Sequence, residues 1–470
     1  MTTLMPSVDS GGERARKPHR SRTAVIRPRR RLLRRAVSGV ALLFTAIAAR
    51  AQTPASLRLT LDEATARAIA ASHRLAEARA RQSASDAVAD ERHAETLPLA
   101  SFLGGYYRTN HVDAFGVVQP PGTLQILYPD VPNNYWSRVE MQWPVYSGGR
   151  AQALERAARI DATAAADDVT TARADLRLEV ARAFWALVTA GEALRVVERS
   201  LEQIDAHLRD VRNQFNAGLV PPSDVLNAEA QRAHQRVLSI RAAVDRDVAE
   251  ADLGRLVDAP SGARIEPAVR LDVAPSGSLS IDALIAEARR QRPDRAALSK
   301  RVDAARQRIG AAAAGRRPTL NVAGGYDYAR PNAHIFPRAD VWKTSWDTGV
   351  NVRWPIFDGG RARSEEAEAA AIARAAEERL ADVDTAIAVE VRQSVREVES
   401  SRAAVDAATL GVASANEARR VLGERFAAGV ATSTDVLDAQ TALLQAELDR
   451  TRAIASARLA DALLERALGR

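Results

Sequence analysis

The sequence predicts a mainly α-helical chain that also carries membrane β-strands and is built from two internal repeats. Three observations predict this fold class. Long alanine-rich segments without proline alternate with short segments that hold most of the aromatic residues. The same motifs recur at nearly constant spacing along the chain. The N-terminus also has the composition of an export signal.

Residues 1–51 have the features of a signal peptide. They carry 12 Lys and Arg against 2 Asp and Glu, so the rest has 54 against 57, about −3, although the whole chain is +7. A basic run, 27–35, precedes an apolar stretch, 36–49, and Ala49 and Ala51 fit an A-x-A cleavage site. A basic nucleic-acid-binding arm would explain the charge but neither of the other two features. We therefore expect export and no nucleic-acid partner.

The amino-acid composition excludes several classes of protein and of binding site. The chain has no cysteine, which excludes disulfides, thiolate metal sites and a lipid on an N-terminal cysteine. After Ala51 no run of about 18 apolar residues occurs, so a membrane crossing would have to use a β-barrel. We find no phosphate loop, zinc motif or nucleophile elbow, and we expect neither an enzyme nor a cofactor.

Duplication organises the chain. The segment 143–150 matches 354–361 and the segment 224–226 matches 435–437, both at an offset of 211 residues, whereas Pro98 and Pro318 are 220 apart. The nine extra residues of the first half therefore fall in a loop, where insertions are tolerated. We predict a first repeat over 52–258, a connector over 259–278 and a second repeat over 279–470.

Each repeat is predicted to have two long helices. Residues 150–213 and 361–424 lack proline and are rich in good helix formers. At about 1.5 Å per residue each would reach roughly 95 Å. Return helices are predicted over 223–257 and 434–468, so the helical parts cover 150–257 and 361–468. From these segments alone, a soluble coiled coil is the preferred interpretation.

The segments 98–146 and 318–357 favour membrane strands. They contain all seven tyrosines and five of the six tryptophans. Polar and apolar residues alternate over 138–143 and 347–354, with weaker partner strands over 99–108 and 320–328, so each segment is predicted to be a β-hairpin. Alternation with aromatic ends is typical of outer-membrane strands. The alternative is a pair of edge-protected hairpins on a soluble protein.

The strand–helix junctions and the oligomeric state follow from these hairpins. Proline resists helix continuation and glycine allows a sharp turn, which suits the ends of the hairpins. The predicted junction residues are Pro98, Pro144, Gly148, Gly149, Pro318, Pro355, Gly359 and Gly360. Four strands cannot close a barrel and open edges cannot face lipid, so several chains would share one barrel. A dimer would supply 8 strands and a trimer 12.

The combination of Pro-x-x-x-Gly-Gly-Arg junctions, Phe-x-x-Gly tips and paired Asp-Val-Leu segments resembles the TolC family of outer-membrane efflux proteins, over nearly all of 57–470. The resemblance implies a homotrimer with a shared 12-strand β-barrel, continued by a long periplasmic α-helical barrel. It also implies outer-membrane lipid around the strands, a periplasmic adaptor (membrane fusion protein) and an inner-membrane pump of RND, ABC or MFS type.

The same resemblance assigns the helix-to-helix turns to the periplasmic end. The implied adaptor-docking residues are Gly218, Leu219, Val220, Gly429, Val430 and Ala431. The implied gate residues are Asp435, Asp438, Asp224 and Phe426. A ring of carboxylates would favour cations, and crowding would raise the pKa of some of them. Helix capping is the alternative for Asp435 and for Asp224.

Two positions depart from the family pattern. Some members have a gating tyrosine where this chain has Phe426, and some have an arginine where it has Ala431. We therefore predict an aperture held by packing and by aspartate hydration. The competing hypothesis is a periplasmic coiled-coil adaptor or scaffold without a pore, which heat-modified gel mobility and detergent dependence would distinguish.

Overall fold

The computed structural model describes residues 56–260, 262–269 and 280–470, so the predicted signal peptide lies outside the described residues. The helices are α1 (Leu61–Ala71), α2 (His73–Ala94), α3 (Arg150–Asn216), α4 (Pro222–Leu256), α5 (Ile281–Gln291), α6 (Pro293–Ala313), α7 (Arg361–Ala427) and α8 (Ser433–Leu468). The strands are β1 (Ser56–Leu59), β2 (Leu99–Arg108), β3 (Phe115–Gln119), β4 (Thr123–Tyr128), β5 (Asn133–Tyr146), β6 (Arg264–Pro267), β7 (Thr319–Arg330) and β8 (Lys343–Arg353). Among the described helices, none combines the length and apolarity needed to cross a membrane.

The two longest helices, α3 and α7, are 67 residues each, which corresponds to about 100 Å. Both begin after a glycine in the left-handed region, Gly149 and Gly360. Both end just before another such glycine, Gly218 and Gly429. The helices therefore run uninterrupted between glycine turns, as their lack of proline predicts.

Four strands form one antiparallel sheet in the order β2-β5-β7-β8. The register aligns Phe102, Val139, Tyr326 and Trp346 in one row across all four strands. These side chains are 72%, 54%, 52% and 74% exposed. The neighbouring row, Ser101, Glu140, Gly325 and Asp347, lies on the opposite face because successive residues alternate. The sheet thus has one apolar and one polar face, as the alternating sequence predicts.

The first hairpin differs from its sequence prediction in two ways. Pro144 was predicted at the strand–helix boundary, which is wrong: β5 continues to Tyr146, and Pro144 lies at a register irregularity between Trp143 and Tyr146. Proline has no N–H to donate, so a bulge accommodates it within the strand. In addition, the loop between β2 and β5 contains a small separate hairpin, β3–β4.

The described part of the predicted connector contains a strand. Strand β6 pairs in parallel with β1, so that Ser56 lies opposite Arg264. Ile265 of this strand is buried in a core with Phe184, Leu187 and Leu253. The start of the first repeat and the beginning of the connector are therefore held together by tertiary packing.

Six helices, α2, α3, α4, α6, α7 and α8, form a single layer with two open sides, and α1 and α5 pack against it. In the half near the sheet, α3 lies between α2 and α6, and α6 lies against α7. In the other half, α3 lies between α4 and α8, and α8 lies against α7. Helix α3 therefore has neighbours on both sides, whereas α7 forms one edge of the layer and α2 and α4 form the other.

The number of buried residues in each long helix agrees with its place in the layer. Although α3 and α7 have equal length, 23 residues of α3 and only 8 of α7 are buried. Apolar side chains are exposed along both edge helices, among them Ile240 and Val248 of α4 and Val389 and Leu410 of α7. The edges of the helical layer match the edges of the sheet. The edge with α2 and α4 lies on the side of β2, and the edge with α7 lies on the side of β8.

Candidate functional site

The two strand–helix junctions have nearly the same backbone geometry. The φ angles are +69° and +92° at Gly148 and Gly149, and +67° and +88° at Gly359 and Gly360. A residue with a Cβ is strained in this left-handed region. The glycines therefore allow the chain to turn from the hairpin into a long helix.

Side chains just before these glycines cap the helices, a role that our sequence analysis missed. The Ser147 hydroxyl accepts a hydrogen bond from the Ala151 N–H at 3.0 Å. The Asp358 carboxylate accepts from the N–H groups of Gly360 and Ala362, both at 2.9 Å. Ser and Asp are common capping residues, and their position just before a double glycine was the available signal.

The same hydrogen bond lies beside the junction prolines in each of the two repeats. Pro98 and Pro318 immediately precede β2 and β7, and Pro355 follows β8. The Trp143 indole N–H donates to the Thr96 carbonyl at 3.2 Å. The Trp354 indole donates in the same way to the Arg316 carbonyl, also at 3.2 Å. Each hairpin is thus tied at its base by a tryptophan.

The junctions differ in what surrounds them. A Cβ at Gly148 would lie 2.9 Å from the Ala314 carbonyl oxygen and 3.0 Å from the Arg317 Cβ. The Arg317 guanidinium also donates to the Gly148 carbonyl at 3.0 Å. Around Gly359, by contrast, a Cβ would meet no described atom within 4 Å. The first junction is therefore packed against the second repeat, whereas the equivalent surface of the second junction is open.

At the other end of the long helices, the two tip turns are also alike. Gly218 and Gly429 have φ angles of +75° and +74°. The following residues, Leu219 and Val430, are 74% and 62% exposed. The next pair, Val220 and Ala431, packs inward against a cluster of Val211, Phe426 and Val436. Each tip therefore presents one exposed aliphatic side chain.

Asp435 caps α8. Its carboxylate accepts from the Thr432 N–H at 2.8 Å and from the Thr432 hydroxyl at 2.7 Å, while its own N–H donates back to that hydroxyl at 3.2 Å. These hydrogen bonds, led by the one from the backbone, hold the pKa of Asp435 below its ordinary value. In the single chain this direction is opposite to that expected for crowded carboxylates. Asp438 is exposed one turn further along α8.

The capping alternative for Asp224 is wrong. Asp224 occupies the matching place in the first turn of α4, but that helix has no side-chain cap. The residue before the helix is Pro221, which has no N–H for the Asp224 carboxylate to accept from. Asp224 is half-buried, and its charge lies near the positive end of the helix dipole.

Phe426 is buried rather than exposed at an opening. It is 7% exposed and packs with Val211 of α3 and Val436 of α8. It also contacts the ring of His207, with ring centroids 5.1 Å apart. His207, only 5% exposed, was missed by the sequence analysis because its position in a long helix carried no distinguishing pattern.

The polar face of the sheet carries an ion-pair network that joins the repeats. The Arg138 guanidinium donates to Asp327 at 2.6 Å and to Asp347 at 2.7 and 3.0 Å. It passes over Gly325, where a Cβ would overlap the guanidinium. The network thus links β5 of the first repeat to β7 and β8 of the second. Among the described residues, no cluster of three or more His, Cys, Asp or Glu has the arrangement of a metal site.

Comparison with known proteins agrees with this architecture. A family profile described as "Outer membrane efflux protein" matches residues 64–258 and 284–470. "Outer membrane protein TolC" of Vibrio cholerae is 28% identical over 286 residues, which cover 59% of this chain and 64% of that protein. The protein of the same name from Salmonella enteritidis is 26% identical over 395 residues, 80% of this chain and 75% of that protein. The CmeC outer membrane channel of Campylobacter jejuni shares the fold, with a TM-score of 0.74 at 16% identity over 87% of this chain and 85% of that one.

Proposed function

Because this chain belongs to the outer membrane efflux protein family, we propose that three copies join side by side into one duct from the periplasm through the outer membrane. The observation that carries this proposal is that the sheet and the helical layer are open on the same two sides. One side comprises β2, α2 and α4, and the other comprises β8 and α7. Joining the second side of each copy to the first side of the next closes a ring.

The strand directions support this closure. Neighbouring strands of the sheet are antiparallel, so β2 and β8 at its two edges run in opposite directions. Strand β8 of one copy would therefore pair antiparallel with β2 of the next. Three copies then give a 12-strand barrel with no open edge, the condition for crossing lipid. The exposed apolar row of Phe102, Val139, Tyr326 and Trp346 would face lipid, and the Arg138 network would face the water-filled interior.

The repeats also support a specific contact between copies. Within one chain, Gly148 packs against Ala314 and Arg317. At the offset of 220 residues these correspond to Ala94 and Leu97 of the first repeat. In the ring, Ala94 and Leu97 of the neighbouring copy would pack against Gly359. The open surface around Gly359 in the single chain would thus be filled by a second copy.

The tips would form the periplasmic entrance. We assign Asp435 and Asp438 to the constriction, with Asp224 and Phe426 supporting it: Phe426 through packing, Asp224 through its charge. Six aspartates from three chains would favour cations. The exposed side chains of Leu219 and Val430 would be the principal contacts for a periplasmic adaptor, which would connect the duct to an inner-membrane pump.

Oligomeric state in detergent tests the duct. The mature protein is expected to require detergent, to run as a heat-sensitive oligomer on gels, and to conduct ions in planar bilayers. A monomer that stays soluble without detergent would overturn the proposal. Cysteine crosslinking of β8 to β2 is the sharper test. Because Val139 lies opposite Tyr326 within one chain, the repeat offsets place Val350 opposite Tyr106 of the next copy. Val350→Cys with Tyr106→Cys is therefore expected to give crosslinked trimers, and Val350→Cys with exposed Val244→Cys of α4 is the control.

The adaptor contact has its own test. Leu219→Asp and Val430→Asp would place charge on the two exposed tip residues and are expected to abolish adaptor crosslinking without lowering conductance. Leu226→Asp is the matched control, since Leu226 is 64% exposed but lies outside the turns. Equal crosslinking in all three variants would remove the tips from the adaptor interface.

A further inference from the structure

A single buried histidine joins the two helical hairpins next to the tip. The Nε2 atom of His207 on α3 lies 2.9 Å from the hydroxyl oxygen of Ser433, the first residue of α8. Its ring contacts Phe426, the next-to-last residue of α7. Ser433 is 1% exposed. One imidazole of the first repeat therefore contacts the second repeat on both sides of its tip turn.

The contacts from α7 and α8 to this imidazole do not titrate, since one is an aromatic ring and the other a hydroxyl. The charged group acting on His207 is Asp210 of its own helix. Other charged side chains near the tip have other partners: Asp435 binds Thr432 and is influenced by Arg425. Arg212 of α3 pairs with Glu229 of α4 at 2.5 Å. On α8 and α4, Asp438 is exposed and Asp224 is half-buried. On α7, Glu424 pairs with Arg420.

Burial is the largest influence on the imidazole. Desolvation lowers the pKa of His207 below its ordinary value of 6.5, and the negative charge of Asp210 and a hydrogen bond with Ser433 offset part of this effect. Near neutral pH the imidazole is therefore uncharged, with one nitrogen available for the Ser433 hydroxyl. A proton added to this site would place a positive charge beside the Phe426 ring, in an apolar cluster away from water. Burying a charge in this way is unfavourable.

We propose that His207, Ser433 and Phe426 form a proton-sensitive latch that holds the α7–α8 tip against α3 and releases it when the imidazole takes up a proton. This inference rests on the proposed duct and adds its regulation. It also identifies a contact that holds the tip, since His207 touches both Ser433 and Phe426. An acidified periplasm would shift the entrance toward its open state.

The direction of the pH dependence follows from the difference in proton affinity between the held and released states. The held state disfavours the proton and the released state, exposed to water, binds it normally. The latch is therefore fully effective above the ordinary histidine pKa of 6.5 and is lost as the pH falls through the lowered value. Each tenfold difference in proton affinity between the two states changes their ratio by at most about tenfold per chain.

Single-channel recording of the assembled protein tests the latch. For the wild type, open probability is expected to rise several-fold between about pH 7.5 and about pH 5.5, the range in which histidine titrates. His207→Gln retains a hydrogen-bonding side chain without titrating in this range, and its open probability is expected to be flat. His234→Gln is the matched control, because His234 is an exposed histidine on the adjacent helix α4 and should behave as the wild type.

Hydrogen exchange gives a second readout that does not depend on conduction. After correction for intrinsic rates, amides of 426–433 in the wild type are expected to exchange several-fold faster at the lower pH, and those in His207→Gln to show no such change. A pH response that persists in His207→Gln, or its absence from the wild type, in both measurements would overturn the latch. Absence of any current in all proteins would instead count against the duct, and the exchange data would still decide the latch.

Discussion

Replacing Gly148 with alanine tests how the two repeats fit together at the base of the sheet. Gly148 and Gly359 occupy matching junctions with φ angles of +69° and +67°. The same substitution at each position therefore imposes the same backbone strain. The surroundings differ, because only Gly148 is packed against the other repeat within its own chain.

The two substitutions should reduce the free energy of unfolding by different amounts. Placing a Cβ in the left-handed region costs about 1–2 kcal/mol at either position. At Gly148 the new atom would also lie 2.9 Å from the Ala314 carbonyl oxygen, so backbone has to move. Overpacking of this kind adds about 1–3 kcal/mol. We expect Gly148→Ala to destabilise the single chain by about 2–5 kcal/mol and Gly359→Ala by about 1–2 kcal/mol.

The assay compares single chains with the assembled protein. Urea unfolding followed by circular dichroism, in detergent at a protein concentration too low for assembly, should give the lower midpoint for Gly148→Ala. At high concentration, Gly359→Ala should form less oligomer on unheated gels, because its Cβ would then meet Leu97 of the neighbouring copy. Leu97→Gly, which removes the Cβ equivalent to that of Arg317, should partly restore assembly. Equal midpoints for the two single-chain variants would refute the packing argument, and normal assembly of Gly359→Ala would refute the proposed contact between copies.

Four further changes test the tip, the sheet and the core. Asp435→Asn combined with Asp438→Asn should reduce selectivity for cations over anions, read from reversal potentials in a salt gradient; unchanged selectivity would remove both aspartates from the constriction. The lowered pKa of Asp435 means that its capping of α8 is present above the ordinary value of 3.8 and lost as the pH falls through the lowered one; faster hydrogen exchange in the first turn of α8 on acidification should report this, and Asp435→Asn should show no such step. Arg138→Ala leaves Asp327 partly buried without its partner and should cost about 1–3 kcal/mol of stability, seen as a lower unfolding temperature, whereas Lys343→Ala on the same sheet should leave it unchanged. Phe184→Ala empties a fully buried core position and should cost about 3–5 kcal/mol, while Phe215→Ala, at a 40% exposed site, should have a much smaller effect on the unfolding midpoint.

The sequence by itself determined the features that depend on local periodicity. The two 67-residue helices follow from proline-free, alanine-rich segments, because backbone hydrogen bonds within a helix need only nearby residues. The two faces of the sheet follow from period-two alternation in 138–143 and 347–354, because side chains alternate along any strand. The duplicated glycines predicted matching turns, since only glycine adopts the left-handed conformation without strain.

Only the tertiary structure decided which of two similar repeats lies inside the layer. Helices α3 and α7 have equal lengths and comparable composition, yet α3 is enclosed and α7 lies at an edge. Burial depends on spatial neighbours contributed by distant segments, as does the pairing of β1 with β6 some 200 residues away. The environment of His207 arises in the same way, since Ser433 lies 226 residues along the chain. Local patterns specify the elements, whereas the order in which they pack fixes which side chains meet.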